Sequence, residues 1–219
     1  MGNRRSSLYS SVYFDTADGQ CHLAHVQGRR RRWKARTRKY LDSDLTRLEL
    51  KVKSTRGRTV KLVRDIDSGQ HGQLDNAGWD FLAQSLKSHY GLCLDSELMP
   101  TLEVTYRRVT LVDTAAGQRV TLDSDLRFVG LDGAVVGAMR GDAVLIETKS
   151  GALPSLADKL LWSHGIREAH CSKYCMARML EGSPYQVPGL RRTLRRWFER
   201  ISVGSDGGVV RPVAVALTA

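Results

Sequence analysis

The chain has 219 residues, enough for one substantial domain with its own core. Its 34 Lys and Arg outnumber 23 Asp and Glu, giving a formal charge of +11. That balance points to a polyanionic partner (nucleic acid, polyphosphate, nucleotide or an acidic membrane surface), with a plain solubilising charge as the bland alternative. No apolar run approaches the ~18 residues of a membrane-spanning helix and no signal peptide is visible, so a cytoplasmic location is expected. Cys21, Cys93, Cys171 and Cys175 are then expected as reduced thiols. Cys171 and Cys175 lack the further ligands of a zinc pattern. The myristoylation-like start at Met1–Ser6 reads as chance.

Residues 1–10 are polar and basic and form an N-terminal segment. Ser11–Thr16 is a β-rich run ending in the turn signal Ala17-Asp18-Gly19. His22–Val26 is read as the next strand. Arg32–Tyr40 follows, and its alternation puts Arg32, Lys34, Arg36 and Arg38 on one face with Tyr40 extending the row. Leu45–Lys53 alternates as cleanly, with Leu48, Leu50 and Val52 opposite Glu49, Lys51 and Lys53. A turn at Ser54–Arg58 leads into a strand over Thr59–Asp65, where Lys61 and Arg64 have opposite parity.

The period then changes. Gln73–Tyr90 reads as helix, with Gly91 as its C-cap. Strands return at Thr101–Val112 and Gln118–Leu122, the latter with Arg119, Thr121 and Asp123 on one face. A weak hairpin is expected over Leu131–Gly141. A strong strand follows at Ala143–Lys149, where Glu147 and Lys149 repeat the spacing of Glu49 and Lys51. Helices are expected over Pro154–Trp162, from Cys171 through Met179, and over Gly189–Ile201, whose outer face holds Arg191, Arg192, Arg195, Arg196 and Arg200. Residues 203–219 carry no clear fold signal.

Charges two residues apart on a strand lie ~7 Å apart, and at an effective dielectric of about 20 each like pair repels by roughly 2 kcal/mol. Water screens such a row; a concave interior does not. On one strand a charged face is usually a solvated face. Several strands with one charged and one apolar face suit a barrel whose charged faces point inward and whose apolar faces are covered by helices. Glu49 and Glu147, the minority acids, suit Mg2+ or Mn2+; ion pairing with the bases is the open alternative, for Glu49 in particular.

Taken in order, the motifs resemble the VTC domain, the polyphosphate polymerase domain among the triphosphate tunnel metalloenzymes, in its bacterial form. The matching segments are Ser11–Thr16, Arg32–Tyr40, Leu48–Lys53, Tyr106–Arg108, Arg119–Asp123, the Glu147/Lys149 strand and Ser172–Tyr174. The resemblance implies an α+β fold: an eight-stranded antiparallel β tunnel, a closed barrel with flanking helices, over residues 11–180, followed by a basic helix and tail over 181–219. The family pattern has a further strand and helix ahead of Ser11, so the resemblance leaves three expectations: a truncated chain, a barrel lacking its first strand, or Arg4 and Arg5 as poor substitutes for the missing charges.

Carried over by motif, the phosphate grip is Arg36, Arg38, Lys51, Lys61, Arg108 and Arg119, with Lys34, Lys53 and Arg64 in second rank. Lys173, Arg119 and Arg108 stand nearest the chemistry, and Glu147 holds the metal. The implied activity is metal-dependent transfer of the ATP γ-phosphate to a growing polyphosphate chain. Hydrolysis of triphosphate or polyphosphate, and binding without turnover, are the alternatives. ATP or polyphosphate is the expected partner. The Arg191–Arg200 helix is a candidate contact for a membrane or protein, and nucleic acid ranks lowest because few aromatics interleave with the basic rows.

Overall fold

A computed structural model describes residues 6–54, 58–149 and 154–201, together with the backbone of 213–218. The hairpin turn expected at Ser54–Arg58 lies largely outside these residues. Ten strands among the described residues form one sheet. They are β1 (Ser7–Asp15), β2 (Trp33–Tyr40), β3 (Thr46–Lys53), β4 (Thr59–Ile66), β5 (Met99–Asp113), β6 (Gln118–Gly130), β7 (Val135–Met139), β8 (Ala143–Lys149), β9 (Phe198–Glu199) and β10 (Val213–Thr218). The helices are α1 (Gln20–Val26), α2 (Asn76–Tyr90), α3 (Leu156–Ser163), α4 (Lys173–Leu180) and α5 (Pro188–Trp197).

The main path runs β10-β8-β6-β5-β1-β2-β3-β4, with β7 joining β6 to β9. Every pairing is antiparallel except β10 on β8. Hydrogen bonds do not close this path into a ring among the described residues, so the fold is an α+β antiparallel sheet rather than a demonstrated closed barrel. The sheet is nevertheless curled. Laid flat, β8 and β3 are five strands apart, ~24 Å at ordinary strand spacing, yet Glu147 on β8 and Lys51 on β3 act on each other's charge.

The period-two pattern sorts the two faces. Leu48, Leu50, Val52, Ala35 and Phe14 point outward into an apolar core with Leu82 and Leu86 of α2. The second core lies against α4 and α5: Leu102, Val104, Phe128 and Leu145 of the sheet pack on Tyr174, Met176, Leu190 and Leu194. Residues 188–199 therefore share a core with strands β5, β6 and β8.

Helix α2 begins where Asp75 accepts the Gly78 N–H (2.7 Å) and ends at Gly91 in the left-handed conformation, φ 63°. A Cβ there would meet nothing within 4 Å, so replacing Gly91 with Ala tests the backbone conformation alone. A loss of about 1 kcal/mol in urea unfolding is expected.

Two local readings are corrected. His22–Val26 lies in helix α1, not a strand, because the buried Asp15 carboxylate accepts the backbone N–H groups of Cys21 and His22 (2.7 and 2.9 Å). This long-range cap is invisible to periodicity. The segment after residue 203 contains β10, whose short apolar run is stabilised by pairing with β8.

Candidate functional site

Cross-strand register assembles the site. Lys34 of β2 stands opposite Lys51 of β3, and Lys51 stands opposite Lys61 of β4, so three lysines line up across three adjacent strands. Arg36 is opposite Glu49, and Arg38 is opposite Ser11 of β1. On the far side, Arg108 of β5 is opposite Asp123 of β6, and Thr121 of β6 is opposite Glu147 of β8. Like charges directly opposite each other destabilise a sheet, so these rows need compensation.

Compensation is partial and specific. Glu49 is fully buried; its Oε2 accepts from Arg36 Nη2 at 2.6 Å and lies 3.9 Å from Arg38, while Oε1 accepts from Lys61 at 3.1 Å. Burial works against its charge, but Arg36, Arg38 and Lys61 more than offset that and hold its carboxyl far below the usual range. Both carboxylate oxygens of Glu49 are thus engaged by cations. Asp123 receives two hydrogen bonds from Arg108 (2.5 and 2.7 Å) and an ion pair from Lys173 (2.7 Å). Glu147 pairs with Lys149 at 3.1 Å and lies 4.0 Å from Arg108. Burial opposes its ionisation, yet Lys149, Lys173 and Lys51 hold its carboxyl down at about 2.

Lys51 shows where compensation fails. Arg36 in front of it, then burial, push its pKa well below the ordinary lysine value, against the weaker pull of Glu147 and Glu49. Lys34 is lowered chiefly by burial; its ammonium donates to Ser172 Oγ (2.8 Å) and lies 3.2 Å from His25 Nε2. Burial and then Lys34 hold the His25 imidazole down at about 3, leaving it neutral.

Aromatic rings carry the arginines. Tyr9 stacks on Tyr106 with centroids 5.1 Å apart, and Arg38 and Arg108 each lie over both rings at 5.1–5.7 Å. Lys173 sits 5.0 Å from the Tyr106 centroid. Helix α4 delivers Lys173. Ser172 caps it, and Tyr174 donates to the buried Asp15 carboxylate and stacks on Tyr13 at 5.1 Å. The Ser11–Thr16 and Ser172–Tyr174 segments are thereby pinned to each other.

Most of the residues expected at the site converge: Lys34, Arg36, Arg38, Glu49, Lys51, Lys61, Arg108, Glu147 and Lys173 share the inner face or stand over it. Lys53 continues the β3 row beyond Lys51. Arg119 is exposed at the end of the β5–β6 hairpin, where it lines a shallow cleft of about 330 Å³ with Lys149. Arg64 is the exception; opposite Leu48 it belongs to the outer face. Asp123, Lys149, Arg47 and the Tyr9–Tyr106 pair were missed as site residues. Alternation already puts Asp123 on the Arg119 face and Lys149 beside Glu147, without marking either as a site residue; the tyrosine pair needs the β1–β5 register, which leaves no local signal.

Among the described residues no group of three or more His, Cys, Asp or Glu side chains is arranged to hold a metal. An Mg2+-like cation needs only one or two carboxylates when substrate phosphates and waters supply the rest. Glu147 fits that role: it is ionised, and the Thr121 hydroxyl on the strand beside it is buried with no hydrogen-bond partner, as is the Tyr106 hydroxyl. Buried orphan hydroxyls facing surplus cations suit a polar ligand.

A family model described as the VTC domain matches residues 2–180. Among solved structures, that of a candidate adenylate cyclase from Bacillus halodurans shares the fold. The TM-score is 0.50 at 14% identity, over 78% of this chain and 82% of that one. More distant are a candidate adenylyl cyclase from Hippeastrum with a dominant triphosphatase activity (TM-score 0.47, 18% identity, 84% and 87% covered) and a protein from Pyrococcus horikoshii OT3 (0.33, 14%, 91% and 82%). No curated protein matches by sequence.

Proposed function

The chain belongs to the VTC domain family, and from that premise we propose that it transfers the γ-phosphoryl group of ATP to a linear polyphosphate held along the inner face of its sheet. The observation that carries this reading is the three-strand lysine row flanked by Arg36, Arg38 and Arg108, a cation surplus that the buried acids leave unmatched. In this reading the curled sheet surrounds the phosphate chain as a closed tunnel that begins with β1 at Ser7, and α5 packs on its outside. The protein acts in the cytoplasm.

Arg36, Arg38, Lys34, Lys51, Lys53 and Lys61 bind the chain along one wall. Arg108 and Lys173, fixed by Asp123 and by the tyrosine pair, face the transferring group from the other, and Arg119 with Lys149 meets phosphate at the mouth. A terminal phosphate oxygen of the chain forms the new bond to the γ-phosphorus, the bond to the β–γ bridging oxygen breaks, and ADP leaves. Little covalent work falls to the protein; alignment and charge neutralisation suffice. Glu147 would hold a Mn2+ or Mg2+ ion, which when bound neutralises charge on the phosphates.

Purified protein with ATP and Mn2+ should accumulate long polyphosphate. Orthophosphate as the sole product would assign hydrolysis instead, and tight binding with no product would assign a binding module.

The depressed Lys51 supplies a further expectation. It is faced by Arg36, Arg38 and Lys34 from β2, Lys61 from β4, and Glu49 and Glu147. A bound polyanion favours its charged form, so at a pH above the depressed value binding takes up a proton, and affinity falls as pH rises through that range. Titration calorimetry of tripolyphosphate in two buffers of different ionisation enthalpy should register that uptake. The Lys51→Met variant should register less.

A further inference from the structure

Helix α5 lies outside residues 2–180 and has no part in the reading above. Its apolar side is committed, because Leu190 and Leu194 are buried in the core with Phe198 just beyond. Its other side carries Arg191, Arg192, Arg195 and Arg196, and α5 itself contains no acidic residue. Arg191 and Arg195, like Arg192 and Arg196, are one turn apart, ~5.4 Å along the axis. Like charges at this spacing repel. No carboxylate pairs with any of the four among the described residues, and all four line one cleft of about 490 Å³ with Gln186 and Pro188.

We propose that this arginine cleft is a second polyanion site, which takes a segment of linear polyphosphate outside the tunnel. The choice of ligand rests on the function proposed above. The planar guanidinium fork matches phosphate oxygens, and two rows of arginines suit a chain with a charge at every unit. Insertion into a bilayer is disfavoured because it needs an apolar helix face, and that of α5 is already buried; electrostatic adsorption to anionic lipid is the outcome that the vesicle competition below tests. Single-stranded RNA is disfavoured because no aromatic side chain lines the cleft, and the neighbouring Trp197 is covered by Arg196 at 4.7 Å from its centroid.

The test uses the full chain without divalent metal, titrated with long-chain polyphosphate and, separately, with tripolyphosphate. For R191Q/R192Q/R195Q/R196Q we expect at least tenfold weaker long-chain binding, unchanged tripolyphosphate binding, and a fall of about 3 in the slope of log affinity against log salt. The double variants R191Q/R195Q and R192Q/R196Q should each lose about half that slope, which keeps the test intact if the quadruple variant folds poorly. Unchanged long-chain affinity overturns the proposal. So does an equal loss of tripolyphosphate binding, or competition in which RNA or phosphatidylserine vesicles displace long-chain polyphosphate from the cleft. Failure of the wild type to bind tripolyphosphate would count against the tunnel reading, while the long-chain comparison would still judge the cleft.

Discussion

Glu147→Ala should lower turnover by about a hundredfold or more while tightening metal-free binding of tripolyphosphate. The first effect follows if this carboxylate holds the metal that offsets charge on the transferring phosphate; losing one such electrostatic element costs roughly 10²–10³ in rate. The second follows from the surroundings of Glu147. It is an acid among Lys149, Arg108, Lys173 and Lys51, and without it those cations face the phosphates undiluted. The fold should survive, because Arg108 keeps both hydrogen bonds to Asp123. Steady-state kinetics with ATP and calorimetry with tripolyphosphate measure the two effects. Turnover near the wild-type value, or weaker metal-free binding, would remove Glu147 from the proposed role.

Glu49→Gln should act on stability. The substitution leaves Arg36 and Arg38, each only 8% exposed, with Lys61 around a neutral amide. Breaking a buried pair by removing one partner costs about 3–5 kcal/mol, and the present case belongs at the lower end because Lys61 is 43% exposed. Saturating tripolyphosphate should restore much of the loss, since it returns negative charge to the same cations. Urea unfolding with and without ligand measures both quantities; a loss below about 1 kcal/mol would show that the cluster is not carried by Glu49. The wild-type pH dependence has a fixed sign. The Glu49 pKa is lowered on folding, so its stabilisation is fully present above the ordinary carboxylate range and is lost as pH falls toward the depressed value.

The inner rows were legible because a strand's period is two and because the β2–β3 register runs without a bulge from the Trp33–Val52 pair to the Lys39–Thr46 pair. One register then orients every residue from Lys34 to Arg38 and from Arg47 to Lys51. Where the register slips, alternation misleads: the β5–β6 pairing shifts between Thr105 and Arg107, and Asp125, which alternation places with Asp123, pairs instead with the exposed Arg107 at 3.6 Å. Strand β6 was also read as ending at Leu122, eight residues short of Gly130, because that shift interrupts its pattern. The sequence leaves Glu49 open between metal and ion pair because the convergence of Arg36, Arg38 and Lys61 on it comes from two neighbouring strands. Family motifs identified Lys173, but not why it is rigid: Asp15 on Tyr174 and Asp123 on Lys173 are partners from β1 and β6.

The Asp15–Tyr174 contact spans 159 residues. Closing a loop of that length costs about 2 kcal/mol more chain entropy than closing a ten-residue hairpin. Contacts of such separation slow folding. The basic hairpin β2–β3 can form from neighbouring residues alone, but Lys173 reaches Asp123 only after synthesis has passed α4 and the Asp15–Tyr174 loop has closed. A nascent chain of this protein therefore exposes its cations long before it can organise them, and the finished site is a property of the completed circuit rather than of any one hairpin.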